Sequence, residues 1–474
     1  MRIVQTFWTD RQSLLENSFG WINPQFHLMS WALSCLSLRK NYDEVVLYTD
    51  SEGYRVFIEL LKLPYTEVVV QYDGLQCPRP HWAYPKMLTY SLQKKPFVHV
   101  DGDLYIPHRL DKKIEQSGLI AQNVETGTGY YHHMMGDILR RGVVLPDFLT
   151  KELERDSIRS YNAGVLGGND LDFIQEYCRT AFRIIEENRL LEEGNPRNHV
   201  NNNLLYEQVL FFALADRQGK SVASVIDRVV PDNGYCYADF CDLYRYDQFP
   251  MLHILGGYKR NPRICKLLGR TLLDRYPEYY RRILNLFADS HQRLRTDATP
   301  TLTPDFSVQM CLAFYQDHLE ALLDKWKRIP TGDLYEMERR ISRFPAFLNA
   351  SVEEQQRFTL RRNPYVDLFK IPQNWPEKAK TLLKEQIEGS GLLKQNDIAC
   401  VPTLLDAGYK EWMLNDLDHN VLMLLKHERT YRDLYTRLLS LFSSGMRRNE
   451  AYVDRLIRES LEKLSYNGLI YVKF

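Results

Sequence analysis

"FVHVDGDLYI", residues 97–106, is the stretch on which the reading of this chain turns. A largely apolar, strand-like run ends in Asp101, Gly102 and Asp103. A buried strand that carries carboxylates must pair them or give them to a metal, because isolated charges resist burial. Where the strand ends the chain bends, and Gly102 lends that bend freedom, so Asp101 and Asp103 can converge on one cation. Strand ends of open α/β sheets are also where ligands collect. Oxygen donors suit Mn²⁺ or Mg²⁺, and either ion can bridge to phosphates. A short Asp-x-Asp triplet is equally at home in a surface turn, so its surroundings have to decide.

Those surroundings alternate strands with helices over roughly residues 1–290, the pattern of an α/β domain. "RIVQTFW" reads as the first strand and "PQFHLMSWALSCLSLRKNY" as a helix with Pro24 near its start, where proline is tolerated. "DEVVLYTD" and "EVVVQY" follow as strands, and "HWAYPKMLTYSLQKK" leads a helix into the Asp-bearing strand. "GLIAQNV", "SYNAGVLGG" and "PMLHILGG" read as later strands, with helices over 171–190 and 204–216. Beyond residue 290 the texture changes. "RLRTDATPTLTPDF" reads as a linker, 305–361 carries charges at helical spacing, and "RRNPYVDLFKIPQNWPEK" reads as a proline-punctuated connection. Near the end, Val421, Leu422, Leu424 and Leu425 share a helical face. Thr430 can cap a second helix, and Val453, Ile457, Ser460, Leu461 and Leu464 mark a third. "NGLIYVKF" closes as a turn and strand. The expected domains are therefore 1–290, a helical and linker region at 291–394, and a small winged-helix-like domain at 395–474.

Composition narrows the function. The 474 residues are 44% apolar and 12% aromatic, enough for large folded cores, and 61 basic residues balance 61 acidic ones. With no net field, nucleic acid is not an expected partner. The eight cysteines form no CxxC, and free thiols in a reducing cytoplasm are the expectation rather than zinc. The opening "MRIVQTFWTD" shows no apolar signal core, and no run approaches the ~20 apolar residues of a spanning helix. A cytoplasmic protein without a transmembrane segment is expected, peripheral membrane association remaining open.

A second motif joins the first. In "HILGGYKRN", His253 follows a strand-like segment, and Gly256 and Gly257 open a turn before Lys259. An imidazole could complete a Mn²⁺ site, while glycine amides and a lysine could hold a diphosphate. The alternative is a surface turn with a packed histidine.

Taken in order, "HVDGDLYI", "YNAGVLGG" and "HILGGYKRN" resemble the motifs of GT-A glycosyltransferases, most nearly the glycogenin and lipopolysaccharide-galactosyltransferase group. That group carries a strand-terminal Asp-x-Asp, an Asn-x-Gly strand and a late His-x-x-Gly-x-x-Lys. The resemblance covers about residues 1–270. It implies a GT-A nucleotide-diphospho-sugar transferase fold, a mixed sheet between helices, followed here by a mainly helical C-terminal region. It implies that Asp101, Asp103 and His253 bind Mn²⁺ (or Mg²⁺). Lys259 and the Gly256–Gly257 backbone would bind the diphosphate of a UDP-linked sugar, and Asn162 would lie near the sugar. Lys86 matches a lysine facing the donor. Glu207 and Gln208 in "YEQVLFF" match an acidic-Gln motif in which the family has Asp. Lys259 precedes Arg260 and Asn261, where the family usually has Pro-Trp.

On that reading Thr6, Phe7 and Trp8 meet the base and ribose, with Asp50 a further ribose contact; Phe7 and Trp8 read equally well as core aromatics. Glu207 and Glu125 are the candidates for an acceptor base or for contacts to sugar hydroxyls, against a reading as solvated charges. The His-x-x-Gly-x-x-Lys resemblance implies a retaining transfer. The C-terminal helix order resembles winged helices that bind leader peptides, which implies a peptide or protein acceptor beside a glycan one. The rivals are a non-catalytic nucleotide-sugar-binding or scaffold protein and a nucleotidyltransferase.

Overall fold

In the computed structural model the described residues are 1–473 except 79, 128, 289–304, 390–396, 406 and 407. The stretch read as a linker at 293–306 lies outside them but for its last two residues. Two compact units divide the chain, Met1–Leu268 and Gly269–Phe474.

The first unit is mixed α/β. Its strands are β1 (Arg2–Thr6), β2 (Val45–Thr49), β3 (Glu67–Val70), β4 (Phe97–Val100), β5 (Leu104–Tyr105), β6 (Leu119–Ala121), β7 (Val124–Gly127), β8 (Ile158–Tyr161), β9 (Val165–Gly168), β10 (Val222–Ser224), β11 (Val230–Pro231) and β12 (Leu252–His253). Seven of them form one sheet in the order β10-β6-β9-β4-β1-β2-β3. β3, β2, β1 and β4 run parallel, whereas β9 is antiparallel to both its neighbours. Successive residues of a strand face opposite sides. Val4, Val46 and Phe97 therefore enter one core while Ile3, Val45 and Val98 enter the other.

The chain runs outward from β1 to β3 and then returns to lay β4 on the other side of β1. That reversal leaves a crevice beyond the carboxyl ends of β1 and β4, the position where open α/β sheets bind ligands. The segment "SYNAGVLGG" supplies two strands, β8 and β9, rather than one, and "PMLHILGG" only the two residues of β12. The Pro24–Asn41 helix is buried continuously from Gln25 to Leu38, with Asn23 capping Phe26 N. A helix buried on all sides in this way is interior, and its Ser30 and Ser34 serve the Asp-bearing loop described below.

The second unit contains helices Phe306–Trp326, Thr331–Ser342, Asp416–Leu424, Tyr431–Leu439 and Glu450–Tyr466. Thr430 caps Asp433 N at 3.3 Å. Two strands fall on the stretch read as a connection, the end of β13 (Thr359–Arg362) and all of β14 (Asp367–Lys370): Pro364 separates them and Pro372 follows the second. The chain continues through β15 (Asp397–Pro402) and β16 (Tyr409–Met413) to β17 (Ile470–Lys473). β17 pairs antiparallel with β13, and β14-β15-β16 form a separate sheet. Phe344, Phe347 and Leu360 share one core with Val421, Leu422, Ile457 and Leu461, so this core draws on residues well before 395. All eight cysteines are free thiols. No described helix is long and apolar enough to cross a membrane.

One glycine in the central sheet is a sharp test of this packing. Gly168 has φ +139°, and a Cβ there would lie 2.0 Å from Gly118 O. Gly168→Ala is expected to lose about 2–4 kcal/mol through overpacking and backbone strain. Gly74→Ala, with nothing within 4 Å of its Cβ position, should stay within ~0.5 kcal/mol. Urea unfolding of the two variants checks the contrast.

Candidate active site

The Asp-Gly-Asp loop is held by its backbone. Asp101 N donates to Gly164 O at 2.9 Å, Ser30 Oγ to Gly102 O at 2.9 Å, and Ser34 Oγ to Leu104 O at 2.7 Å. The short β5–β12 ladder pairs Leu104 with His253, and Ile254 N donates to Asp103 O at 3.0 Å. That ladder carries the imidazole to the aspartates across 150 residues of sequence. Ligand atoms of Asp101, Asp103 and His253 all lie within 4.8 Å of one another, a candidate site for a divalent cation. Gly102 has another role than the expected one: its φ is not left-handed, and a Cβ there would lie 2.2 Å from the Trp31 ring. The position needs space rather than backbone freedom.

Two lysines neutralise the acids. Lys86 Nζ bridges Asp101 Oδ1 at 2.9 Å and Glu207 Oε1 at 2.7 Å, and Lys259 pairs with Asp103 Oδ2. His253 Nε2 faces Asp103 Oδ1 at 3.3 Å. Burial alone would raise Asp103, yet Lys259 and His253 hold its carboxyl well below the usual carboxylate range. Burial pushes Glu207 up to about 7, against the pull of Lys86 and with Asp101 adding to it. Lys86 loses solvation on burial, but Asp101 and Glu207 keep its ammonium above its ordinary value. Glu207 sits in a π-helical turn, Leu205–Val209, an irregularity common at functional sites. Its Oε1 also accepts from Tyr90 OH at 3.2 Å, while its buried Oε2 has no partner.

These groups open onto a cleft of about 1100 Å³ at the carboxyl ends of β1 and β4. Thr6, Phe7, Trp8, Lys86, Asp101, Asp103, Glu125, Asn162, Glu207, His253, Gly256, Gly257 and Lys259 all line it. Phe7 is also packed edge-on against Phe19, Trp31 and Phe57, so it is both core and wall. Asp50 does not line the cleft. Its Oδ2 accepts from Thr9 N at 2.7 Å and Thr9 Oγ1 at 2.6 Å, and its Oδ1 accepts from Gly53 N at 2.9 Å. Asp50 therefore anchors the loop after β1, and any ligand on that side meets Thr9 instead.

Glu125 accepts from the hydroxyls of Tyr131 and Tyr235 and from Asn162 Nδ2 at 2.9 Å. Asn162 Oδ1 in turn accepts from Gly164 N at 2.9 Å. Sequence reasoning missed Tyr131, Tyr235, Gln122 and His27. His27 lines the cleft stacked on Phe19, and burial together with Lys259 lowers its pKa to about 3, which keeps it neutral. For Gln122 a signal existed: two amides, Gln122 and Asn123, end the apolar run "LIA" much as Asp101 ends its own.

Residues 1–286 match DUF6734, described as a family of unknown function, and the chain belongs to that family. Among solved structures the chain is similar to the glycosyltransferase GlyE of Streptococcus pneumoniae TIGR4, with 12% identity and a TM-score of 0.29. That match covers 61% of this chain and 63% of GlyE, less than two thirds of its length. It is also similar to the galactosyltransferase LgtC, solved in complex with donor and acceptor sugar analogues. There the identity is 14% and the TM-score 0.25, over 43% of this chain and 70% of that one. No curated protein matches the chain.

The Lys86 bridge makes a direct prediction. Removing one partner of a buried ion pair strands the other charge, at a cost of about 3–5 kcal/mol. Lys86→Met should lower stability by that order in urea unfolding. Adding Glu207→Gln should recover part of the loss, which a double-mutant cycle measures.

Proposed function

We propose that the chain is a metal-dependent glycosyltransferase of the GT-A type, moving a sugar from a nucleotide-diphosphate sugar, UDP-linked, to a glycan or to a peptide or protein. The observation that carries this reading is the convergence of Asp101, Asp103 and His253 beside Lys259 at the carboxyl ends of β1 and β4, with Glu207 joined to Asp101 through Lys86. Two carboxylates and an imidazole are a donor set that suits Mn²⁺. A divalent cation bound there would supply Lewis-acid stabilisation of the diphosphate.

The chain's own residues do the rest on this reading. The Lys259 ammonium faces the charge that develops on the departing diphosphate, where stabilisation lowers the barrier. Lys86 keeps Asp101 and Glu207 in fixed positions. Glu207, which lines the cleft, is the carboxylate we place nearest an acceptor hydroxyl. Glu125 already has four protein donors, Tyr131, Ser160, Asn162 and Tyr235, and is poorly placed to take an acceptor proton. Retention, with a phosphate oxygen of the leaving group as proton acceptor, is the stereochemistry we favour. For the second unit we read the end of the chain as a winged-helix-like module for a peptide acceptor. Its support is the order of three main helices and a strand. Failure of the full-length protein to bind peptides encoded beside it would remove that part.

Incubation with Mn²⁺ and a panel of nucleotide sugars should release a nucleotide diphosphate from one donor. Asp103→Ala and His253→Ala should abolish release, and Lys259→Ala should slow it by roughly 10²–10³-fold. Metal-dependent UDP binding without turnover would favour the non-catalytic rival, and release of pyrophosphate a nucleotidyltransferase. Absence of metal-dependent UDP binding would sink the transferase reading.

A further inference from the structure

We infer that Gln122 and Asn123 form a polarised amide chain that fixes the tautomer of His253 and so prepares it as a metal ligand. The inference rests on the metal-dependent reading above and assigns two positioning residues to it. Each link has a definite direction. The backbone carbonyl of Val124 can only accept, and Asn123 Nδ2 donates to it at 3.0 Å. Asn123 Oδ1 must therefore face the other way, where it accepts from Gln122 Nε2 at 3.1 Å. That leaves Gln122 Oε1 as the acceptor 2.7 Å from His253 Nδ1. The imidazole thus carries a proton on Nδ1, and its Nε2, which points at Asp103, is the nitrogen available to a cation.

The chain is built to keep this polarity. Gln122 and Asn123 are fully buried, so water cannot substitute for either amide. The second Asn123 Nδ2 hydrogen goes to Tyr235 OH at 3.2 Å, so both its donors are used. Gly164 supplies the room: a Cβ there would lie 2.4 Å from Gln122 Oε1 and 2.5 Å from His253 Cε1. Only glycine lets amide and imidazole meet at that point. An imidazole whose outer nitrogen is held by a hydrogen-bond acceptor is oriented and made more basic toward a metal.

The test is Mn²⁺ affinity, read as loss of the free-ion EPR signal on titration of the full-length protein, with and without UDP. Thermal unfolding in the absence of metal monitors folding. Gln122→Leu removes the acceptor and is expected to weaken Mn²⁺ binding roughly 10–100-fold. Gln122→Glu keeps an acceptor at the same reach but gives up the donor to Asn123 Oδ1, and should recover only part of the affinity that Gln122→Leu loses. In a His253→Ala background, Gln122→Leu should cause no further loss, because its effect passes through the imidazole. If Gln122→Leu does not fold, Asn123→Leu, which unties the polarity one step earlier, takes its place in the same cycle. Wild-type affinity in a folded Gln122→Leu variant overturns the inference and leaves the metal site standing, as does an equal loss with and without His253. No Mn²⁺ binding by the wild type with or without UDP overturns both the inference and the metal-dependent reading.

Discussion

Pairing Asp101, Asp103 and Glu207 of the cleft with two lysines is the constraint around which the first unit is arranged. Asp101, Asp103 and Glu207 come from two distant stretches of chain, and each is met by an ammonium group, Lys86 or Lys259. Taking such charges out of water costs several kcal/mol per ion unless partners and hydrogen bonds compensate. The positions of the lysines are therefore as constrained as those of the acids. Lys86 is placed by a helix that feeds β4, and Lys259 by the turn that follows β12. On the proposed reading, a divalent cation would add to the positive charge that Lys86 and Lys259 bring to the three acids.

The loop after β1 answers to the same constraint. Asp10, Arg11 and Phe19 have φ of 52°, 60° and 44°, left-handed values that L-residues adopt at a cost of about 1–2 kcal/mol each. Hydrogen bonds hold the loop in that state. Thr9 is tied to Asp50, Leu14 N to Glu52 at 3.1 Å, and Ile22 N to Lys259 O at 3.1 Å. The last of these fastens the loop to the turn that carries Lys259. Two walls separated by more than 200 residues in sequence are thus one piece, and strain in the first is supported by the second.

Much of this was legible in the chain, and what was not has identifiable causes. Asp101, Asp103, His253 and Lys259 could be read because charged or polar residues at the end of an apolar run have few structural explanations. Asn162 and Lys86 followed through their place in a motif. Asp50 looked the same from sequence, since it also ends an apolar strand, but its oxygens are spent on Thr9 and Gly53. Only coordinates separate a strand-end carboxylate that faces the cleft from one that anchors a loop. Tyr131 and Tyr235 were invisible because their role lies in hydroxyls that meet across 104 residues of sequence. In the second unit the prolines misled: Pro364 and Pro372 bound β14 rather than exclude it, because proline at a strand end removes no ladder hydrogen bond.

The two glutamates show how hydrogen-bond counting assigns roles that residue type cannot. Both are buried and both line the cleft. A carboxylate has about four acceptor sites. Glu125 faces four protein donors, Tyr131, Ser160, Asn162 and Tyr235, and Asn162 is itself locked by Gly164 N, so this group behaves as part of the scaffold that shapes the wall. Glu207 receives Lys86 and Tyr90 on one oxygen and leaves the other without a partner. An unpaired buried oxygen costs about 1–3 kcal/mol, a penalty held in place by Lys86 and Tyr90 on the other oxygen. On the proposed reading, that difference directs substrate toward Glu207 and leaves Glu125 to hold the tyrosines that face it.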